Sequence, residues 1–450
     1  MKRPAAALVV CAVLAMVTVL GASHGVRTAA AQNSARAAGR PLQHVVLVTQ
    51  DHRSFDHYFG TRPGVDGIPA GVCLPSGTDK PCVAPFLLDS STELTPFNDG
   101  RRYLLGQIDG GKMDGFVSTY ANSAADGRQT MGHYDRTELS YYWQLADDFM
   151  VMDHYFAAQP TNGVANRYFA VTGSLPPGGA TAVPATGWST VPTIFDRLDE
   201  AKVDWRVYVQ GWGNATPAPA VLARLRSRIP VLGMAAYQDP AALAGHFVDL
   251  SQYYRDAAAN RLPAVSWVVA TGPTERPPAS PASGMRFART LVVSLQTSQA
   301  WSSSALLLDY DSSGGWYDHV QPPAAGDQAR GARGPGLLVS PLLKAGTVDS
   351  DVMDSAAGLR LVEQNWSLPS LTARDAGSPS LLGRLDLAQP RPPRLGPASA
   401  PLRTPASQTV GVYVLYTAVL LLAGGLGVRR RRAIALPVQA VRPALLTPKA

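Results

Sequence analysis

Two carboxylates and one imidazole stand directly after two apolar runs of this sequence. Asp51 and His52 follow the run His44–Thr49, and Asp311 follows the run Leu306–Tyr310. Such runs predict buried strands, and α/β folds place their chemistry at the carboxyl ends of parallel strands. Carboxylates and imidazoles bind divalent metal ions, which neutralise a phosphate and lower the pKa of a nucleophile. The three residues therefore predict a metal site suited to phosphoryl transfer.

The segment that contains Asp51 and His52 resembles the opening signature of a bacterial phosphoesterase family that includes phospholipases C and acid phosphatases. Further motifs follow in the family's order and at suitable spacing, over about residues 42–386. The similar segments are Gln50–Gly60, Lys112–Phe116, Tyr141–Asp147, Asp153–Phe156, Asn166–Arg167, Tyr310–Val320 and Leu371–Asp375. The resemblance implies an alkaline-phosphatase-like α/β fold. It also implies hydrolysis of phosphate esters, with phospholipids or phosphomonoesters as substrates.

The chain departs from the family's pattern at the positions that would carry this chemistry. Asp51 and His52 stand where the family has Glu and Asn, and Gly163 falls where its Thr or Ser nucleophile stands. The other departures are Ser312 for a carboxylate, and Arg276 and Ser355 for histidines. Because glycine has no side chain to attack with, the pattern indicates either a rearranged site or a site that has lost the family's chemistry.

Two hypotheses about activity remain open. In the first, Asp51, His52 and Asp311 hold a divalent metal ion of unknown identity, and Thr161 or a metal-bound water attacks phosphorus. In the second, no metal is bound and the chain is a catalytically inactive relative, which holds an anionic ligand or a partner at the cell surface. Thr161 is otherwise a turn residue. The candidate ligand-binding residues, chosen in part because a guanidinium pairs well with an anion, are Asn166, Arg167 and Arg276.

Both ends of the sequence predict contact with a membrane. Residues 1–31 begin with Met1-Lys2-Arg3 and an apolar run, the pattern of a secretory signal peptide; an uncleaved membrane anchor is the alternative. Residues 410–428 carry no charge and would form a transmembrane helix of about 28 Å at ~1.5 Å per residue. The tail, residues 429–450, starts with four arginines, which mark the cytoplasmic side. We therefore expect a single-pass protein of the cell membrane with its main domain outside.

The part between these ends alternates strand-like and helix-like runs. This pattern predicts an α/β domain over residues 42–388, with a mostly parallel central sheet flanked by helices. Residues 389–409 are rich in proline and predict an extended linker to the transmembrane helix. Strands are expected at Val45–Val48, Trp205–Val209, Ala264–Val269, Ala305–Tyr310 and Gly336–Ser340, and helices at Ile194–Ala201, Phe287–Thr297 and Gly358–Asn365.

Charge and cysteine content narrow the possible functions. The basic residues of the two ends account for more than the net charge of +7, so the domain itself is slightly acidic and nucleic-acid binding is not indicated. Cys73 and Cys82 bracket a turn-rich loop and are expected to form a disulfide outside the cell; a two-cysteine metal site is the alternative. Structural hydrogen bonds at turns are expected for Asp56, His57, Asp318 and His319.

Overall fold

An eight-stranded β-sheet lies at the centre of the computed structural model of this chain. Its strands in chain order are β1 (His44–Gln50), β2 (Met150–Met152), β3 (Trp205–Val209), β4 (Phe247–Asp249), β5 (Val265–Val269), β6 (Ser304–Tyr310), β7 (Gly336–Val339) and β8 (Thr347–Asp349). Their order across the sheet is β8-β2-β7-β6-β1-β5-β3-β4. Among the described residues, β7 is the one strand of this sheet that runs antiparallel to its neighbours. The predicted α/β domain with a mostly parallel sheet is confirmed.

The structure describes residues 40–395, apart from 78–79, 90, 122, 124–125, 180–181, 185, 190, 238, 273–274, 326–327 and 389. The predicted signal peptide, transmembrane helix and basic tail, and most of the predicted linker, lie outside these residues. Within the described ranges, no helix has both the length and the apolar character needed to cross a membrane.

Helices cover both faces of the sheet. The α-helices of the described residues are α1 (Phe55–Phe59), α2 (Arg101–Ile108), α3 (Ser140–Asp148), α4 (Gly163–Thr172), α5 (Ile194–Glu200), α6 (Pro219–Leu225), α7 (Pro240–Leu243), α8 (Ser251–Ala258), α9 (Pro281–Gln296), α10 (Ala356–Trp366) and α11 (Ala373–Ala376). Short 3₁₀ segments lie at Asp109–Gly111, Ser118–Tyr120, Gly127–Met131, Pro177–Gly179, Pro230–Gly233, Ala235–Tyr237, Gln299–Ser303 and Leu382–Arg384.

Different helices pack against the two faces of the sheet. On one face α9 packs against α3 and α8, and the Gln50 amide at the end of β1 donates to the Gly284 carbonyl of α9 at 3.4 Å. On the other face α4 packs against α5 and α10. There Gly358 of α10 lies against Leu47 of β1 and Leu307 of β6. Cover on both sides explains why the middle of β1, Val45–Val48, and the middle of β6, Ala305–Leu308, are continuously apolar and do not alternate.

The register of the two central strands fixes where they end. β1 and β6 are parallel neighbours, and Gln50, the last residue of β1, pairs with Tyr310, the last residue of β6. Every residue of β6 is buried. Because the two strands end level, the residues that follow them, Asp51 and Asp311, emerge at the same edge of the sheet.

Most predicted elements agree with the structure in type and to within one or two residues at each end. The clearest difference is α9, which begins at Pro281 although only its second half, Phe287–Thr297, was expected to be helical. Proline is well suited to the first turn of a helix because it has no N–H to leave unpaired there. The following Ala-Ser-Gly lacks the apolar period that marks the second half, so the pattern gave no sign of this first turn.

A disulfide and short strand pairs lie outside the central sheet. Cys73 and Cys82 form a disulfide with a Cα–Cα distance of 5.4 Å. The adjacent Leu74 and Val83 exchange backbone hydrogen bonds of 2.9 and 2.8 Å, so the loop between the cysteines is closed as an antiparallel turn. The remaining strand pairs are Phe86–Leu87 with Gly132–His133, and Ala324–Ala325 with Gln328–Ala329.

Candidate functional site

Asp51 and Asp311 lie side by side at the carboxyl edge of the sheet, where β1 and β6 end. The Asp311 N–H donates to the Gln50 carbonyl at 3.1 Å, which continues the ladder between the two strands by one residue. Both carboxylates are buried. The structure thus brings together the two strand-end carboxylates that the sequence analysis selected.

Arg167, on the first turns of α4, bridges these two carboxylates. Its Nε donates to Asp311 Oδ2 at 2.9 Å, and its Nη2 donates to Asp51 Oδ1 at 2.6 Å. Nη2 also faces the Thr49 carbonyl at 3.3 Å. A charge-assisted hydrogen bond on each carboxylate holds the guanidinium between them, in the position that a shared metal ion would need.

A second guanidinium reaches Asp51 from the segment that follows α6. Arg228 Nη1 donates to Asp51 Oδ2, so each oxygen of this carboxylate has its own arginine. Sequence reasoning did not select Arg228, because it belongs to no motif and is far from Asp51 along the chain. Its place beside Asp51 is decided by how α6 and the segment after it pack.

His52 lies between two carboxylates. Its backbone N–H donates to Asp311 Oδ1 at 3.1 Å, and its ring Nδ1 lies 3.1 Å from the same oxygen. Its Nε2 lies 2.7 Å from Oδ2 of Asp99, a residue that sequence reasoning missed. His52 has a positive φ of 59°, a conformation that is uncommon for a non-glycine residue and turns the chain sharply after β1.

Asp51, Asp99 and Asp311 form a charged cluster with His52, Arg167 and Arg228, and the charges of this cluster balance one another. Burial alone would lower the pKa of His52, but the carboxylates of Asp311 and Asp99 raise it to about 9. Burial alone would raise the pKa of Asp311, but His52 and Arg167 hold it well below its usual range. Arg167 and Arg228 lower the pKa of Asp51 in the same way, again against the effect of burial. At neutral pH three cationic side chains therefore face three carboxylates.

Gly163, which the motif resemblance sets at the family's nucleophile position, is the first residue of α4. A Cβ built there would overlap Oδ2 of Asp311. The absence of a side chain thus has a structural consequence: it lets the Asp311 carboxylate lie against the amino-terminal end of α4, where the helix dipole favours a negative charge. A serine or threonine at this position would require Asp311 to move away.

The other predicted site residues have different surroundings. Thr161 is 1% exposed, and its hydroxyl has no hydrogen-bond partner among the described residues. The Asn166 side chain accepts from the Gln159 N–H at 2.9 Å and donates to the Thr161 carbonyl at 3.0 Å, so it holds the turn before α4. Arg276 is exposed, whereas the residue before it is fully buried. Of these three, the structure therefore assigns Asn166 a structural role.

Asp51, His52 and Asp311 have the donor types of a divalent-metal site, and one ligand atom from each lies within 4.8 Å of the others. Each of these ligand atoms nevertheless has a charged partner already. The two oxygens of Asp51 face Arg167 and Arg228, and those of Asp311 face Arg167 and His52. The residues as arranged therefore do not fit a metal ion unless Arg167 moves away.

A buried glutamate lies beneath the same strand ends. Glu275 accepts hydrogen bonds from three tyrosine hydroxyls: Tyr58 at 2.5 Å, Tyr310 at 2.7 Å, and Tyr142. Tyr310 is the last residue of β6, so Glu275 ties this strand end to α1 and α3. Burial raises the pKa of Glu275 to about 7, although the tyrosine hydroxyls act in the opposite direction.

The chain belongs to the phosphoesterase family, whose sequence model matches residues 42–369. The resemblance that the motifs indicated is thereby confirmed. Among curated proteins, the chain is 27% identical over 396 residues to phospholipase C A of Mycobacterium tuberculosis, covering 73% of each chain. It is also 27% identical to the non-hemolytic phospholipase C of Pseudomonas aeruginosa, covering 73% of this chain and 54% of that protein. It is 28% identical to non-specific phospholipase C1 of Arabidopsis thaliana, covering 68% of this chain and 62% of that protein.

Solved structures with some likeness to the chain include a protein in the alkaline phosphatase superfamily from Vibrio parahaemolyticus. It is 11% identical, with a TM-score of 0.37, and the match covers 75% of this chain and 70% of that one. The lipoteichoic acid synthase of Listeria monocytogenes is 10% identical, with a TM-score of 0.37. This match covers 78% of this chain and 77% of that one.

We expect Arg167→Leu to destabilise the fold and to create a metal requirement. Removing the guanidinium leaves Asp51 and Asp311 buried without their shared cation, which should lower the free energy of unfolding by about 3–5 kcal/mol. Ca²⁺, which prefers oxygen ligands, should raise the Tm of this variant and leave the wild-type Tm unchanged. Thermal unfolding with Ca²⁺ or a chelator measures both effects, with Arg224→Leu as an exposed control. Equal stability of Arg167→Leu and wild type would contradict the bridging role.

We expect Glu275 to make stability depend on pH. Its pKa is raised on folding, so its contribution is fully present below the unfolded pKa and is lost as the pH rises through about 7. Between about pH 4 and pH 8, wild type should lose roughly 3 kcal/mol of unfolding free energy relative to Glu275→Gln. Urea denaturation across this range measures the difference. Glu93→Gln, at an exposed position, should follow the wild-type curve, and parallel curves for wild type and Glu275→Gln would argue against a neutral Glu275.

Proposed function

We propose that this protein binds a phosphate ester at the carboxyl edge of its sheet and does not carry out metal-assisted hydrolysis of that ester. The observation that carries the proposal is the guanidinium of Arg167, which bonds to both Asp51 and Asp311. A cation that is part of the chain occupies the space between the carboxylates that a metal-dependent phosphoesterase would use for its ion.

The lack of a nucleophile supports the same proposal. Metal-assisted phosphoryl transfer needs a hydroxyl or a metal-bound water aligned with phosphorus. Gly163 supplies no hydroxyl, and the Asp311 carboxylate fills the space where a side chain would begin. Thr161 carries a hydroxyl but is 1% exposed, so a substrate cannot reach it in the structure.

Arg228 is the guanidinium that a phosphate would meet first. Its side chain is 21% exposed, compared with 7% for Arg167. The cavity that both arginines line inside the protein has a volume of about 30 Å³, room for roughly two water molecules. A phosphate ester therefore has to approach from the solvent side, where the planar guanidinium can pair with two phosphate oxygens. Relatives named as phospholipases C support a phosphate ester of a lipid headgroup as the ligand.

The predicted signal peptide and transmembrane segment support a place for this domain on the outer side of the cell membrane. The Cys73–Cys82 disulfide agrees with this location, because such bonds persist in oxidising compartments. A domain tethered in this way would meet phospholipid headgroups at the membrane surface.

Hydrolysis is the second candidate function. Its specific support is the cluster of Asp51, His52 and Asp311, whose ligand atoms lie within 4.8 Å of one another. If Arg167 and Arg228 turned away, these residues could hold an ion, and an ion-bound water would then be the nucleophile in place of the missing side chain.

Binding and turnover measurements separate the two candidates. We expect phosphorylcholine and inorganic phosphate to raise the Tm of wild type and of Arg224→Ala, and to have no effect on Arg228→Ala, because Arg228 is the arginine of the pair that faces solvent. We expect no turnover of p-nitrophenyl phosphate or p-nitrophenyl phosphorylcholine with added Zn²⁺, Mn²⁺, Mg²⁺ or Ca²⁺.

Turnover that Asp311→Ala abolishes would replace the binding proposal with the hydrolase. A ligand-induced rise in Tm that is the same in Arg228→Ala and wild type would place the phosphate elsewhere and refute the assignment of Arg228.

A further inference from the structure

Two imidazoles from distant segments meet one carboxylate at the surface. His319 Nε2 lies 3.1 Å from Oδ1 of Asp66, and His154 Nε2 lies 3.0 Å from Oδ2 of the same residue. His154 follows β2, His319 lies in the segment after β6, and Asp66 lies in the loop after α1. These three side chains share no residue with the cluster around Asp51, so a ligand bound to them would be independent of the proposed function.

We propose that Asp66, His154 and His319 bind a divalent transition-metal ion, with Zn²⁺ as the best match. Two imidazole nitrogens and one carboxylate oxygen are a donor set found in zinc sites that keep a position open for water or another ligand. An ion would replace the protons that the two Nε2 atoms now direct at Asp66. The exposed fractions of the side chains are 46% for Asp66, 25% for His154 and 14% for His319, so an ion can enter from solvent.

The other nitrogen of His319 already has the partner that metal-binding histidines usually have. Its Nδ1 lies 2.7 Å from Oδ2 of Asp56, a buried carboxylate. Asp56 is in turn held by Arg333, whose Nη2 donates to Asp56 Oδ1 at 3.0 Å. A carboxylate on Nδ1 fixes the ring orientation and directs Nε2 at the ion. His319 is therefore preorganised as a ligand.

The charge around the three side chains favours a cation. Arg333 joins Asp66 to two buried carboxylates: its Nη1 donates to the Asp66 carbonyl at 2.9 Å, and its other nitrogens donate to Asp56 and Asp318. The Asp153 carboxylate accepts from the Asp66 N–H at 2.9 Å, and its Oδ1 has no partner in the described part of the chain. With both imidazoles neutral, as metal ligands must be, four carboxylates face one guanidinium, so the surroundings of the site are electronegative.

Binding requires two side chains to move, because the ligand atoms of Asp66, His154 and His319 do not all lie within 4.8 Å of one another, as those of Asp51, His52 and Asp311 do. Zinc–ligand bonds are about 2.0–2.2 Å long, so His154 and Asp66 have to draw in toward the fixed His319 ring. Both are at least partly exposed and can rotate without disturbing the core. Mixed nitrogen and oxygen donors favour Zn²⁺ over Mg²⁺ or Ca²⁺, which prefer oxygen alone.

Calorimetric titration of Zn²⁺ into the chelator-treated protein, with any purification tag removed, tests the site. We expect one Zn²⁺ per chain and no heat from Mg²⁺. Asp66→Asn and His154→Ala should each weaken Zn²⁺ binding by about tenfold or more. Asp66 is exposed and His154 is partly exposed, so neither change should prevent folding.

Two further variants locate the ion. His246→Gln removes an imidazole far from the site and should bind Zn²⁺ as wild type does. Asp311→Asn should also retain binding, because Asp311 belongs to the other cluster. Absence of Zn²⁺ binding by wild type, or unchanged binding by both Asp66→Asn and His154→Ala, would overturn the proposal. Loss of Zn²⁺ in Asp311→Asn but not in His154→Ala would place the ion in the Asp51 cluster and overturn it as well.

Discussion

The ion pairs of Arg167 with Asp51 and Asp311 join three parts of the chain that meet at one edge of the sheet. A buried carboxylate without a partner costs several kcal/mol, so the ends of β1 and β6 and the start of α4 have to keep their relative positions. Gly163 belongs to the same constraint, because only a residue without a side chain lets Asp311 lie against the helix. Gly163 and the Arg167 bridge are thus two parts of one arrangement.

The motif that follows β1 supports this edge through contacts with later motifs. The Ser54 hydroxyl donates to the Tyr317 carbonyl at 2.5 Å, and the Arg53 guanidinium donates to the Ala279 carbonyl at 3.1 Å. The Tyr58 hydroxyl donates to Glu275. A short segment next to the central strand therefore fixes several loops at once. None of these contacts involves Asp51, His52 or Asp311, so the turn after β1 does not depend on the residues that would hold a metal.

The two clusters near this segment differ in how their carboxylates are neutralised. Around Asp51 and Asp311 the chain supplies a cation for each carboxylate, which leaves an added metal ion with no unpaired carboxylate to neutralise. Around Asp66 the carboxylates outnumber the arginines, and His154 and His319 offer nitrogen ligands near the surface. A buried or crowded charge needs a counter-charge. This rule argues against a metal ion at Asp51 and Asp311, and it favours one at Asp66.

The sequence by itself determined the fold class, five strands of the central sheet, three of the longer helices, the family, and the two carboxylates that meet at the sheet edge. These features depend on local patterns. An apolar run predicts a buried strand, and the residues that follow the run lie at the carboxyl end of that strand. Only the tertiary structure decided that Arg167 bridges Asp51 and Asp311, that Arg228 and Asp99 complete the cluster, and that Asp66 meets two histidines. Ion pairs join residues that are far apart along the chain, and which charges meet depends on packing that no local pattern records.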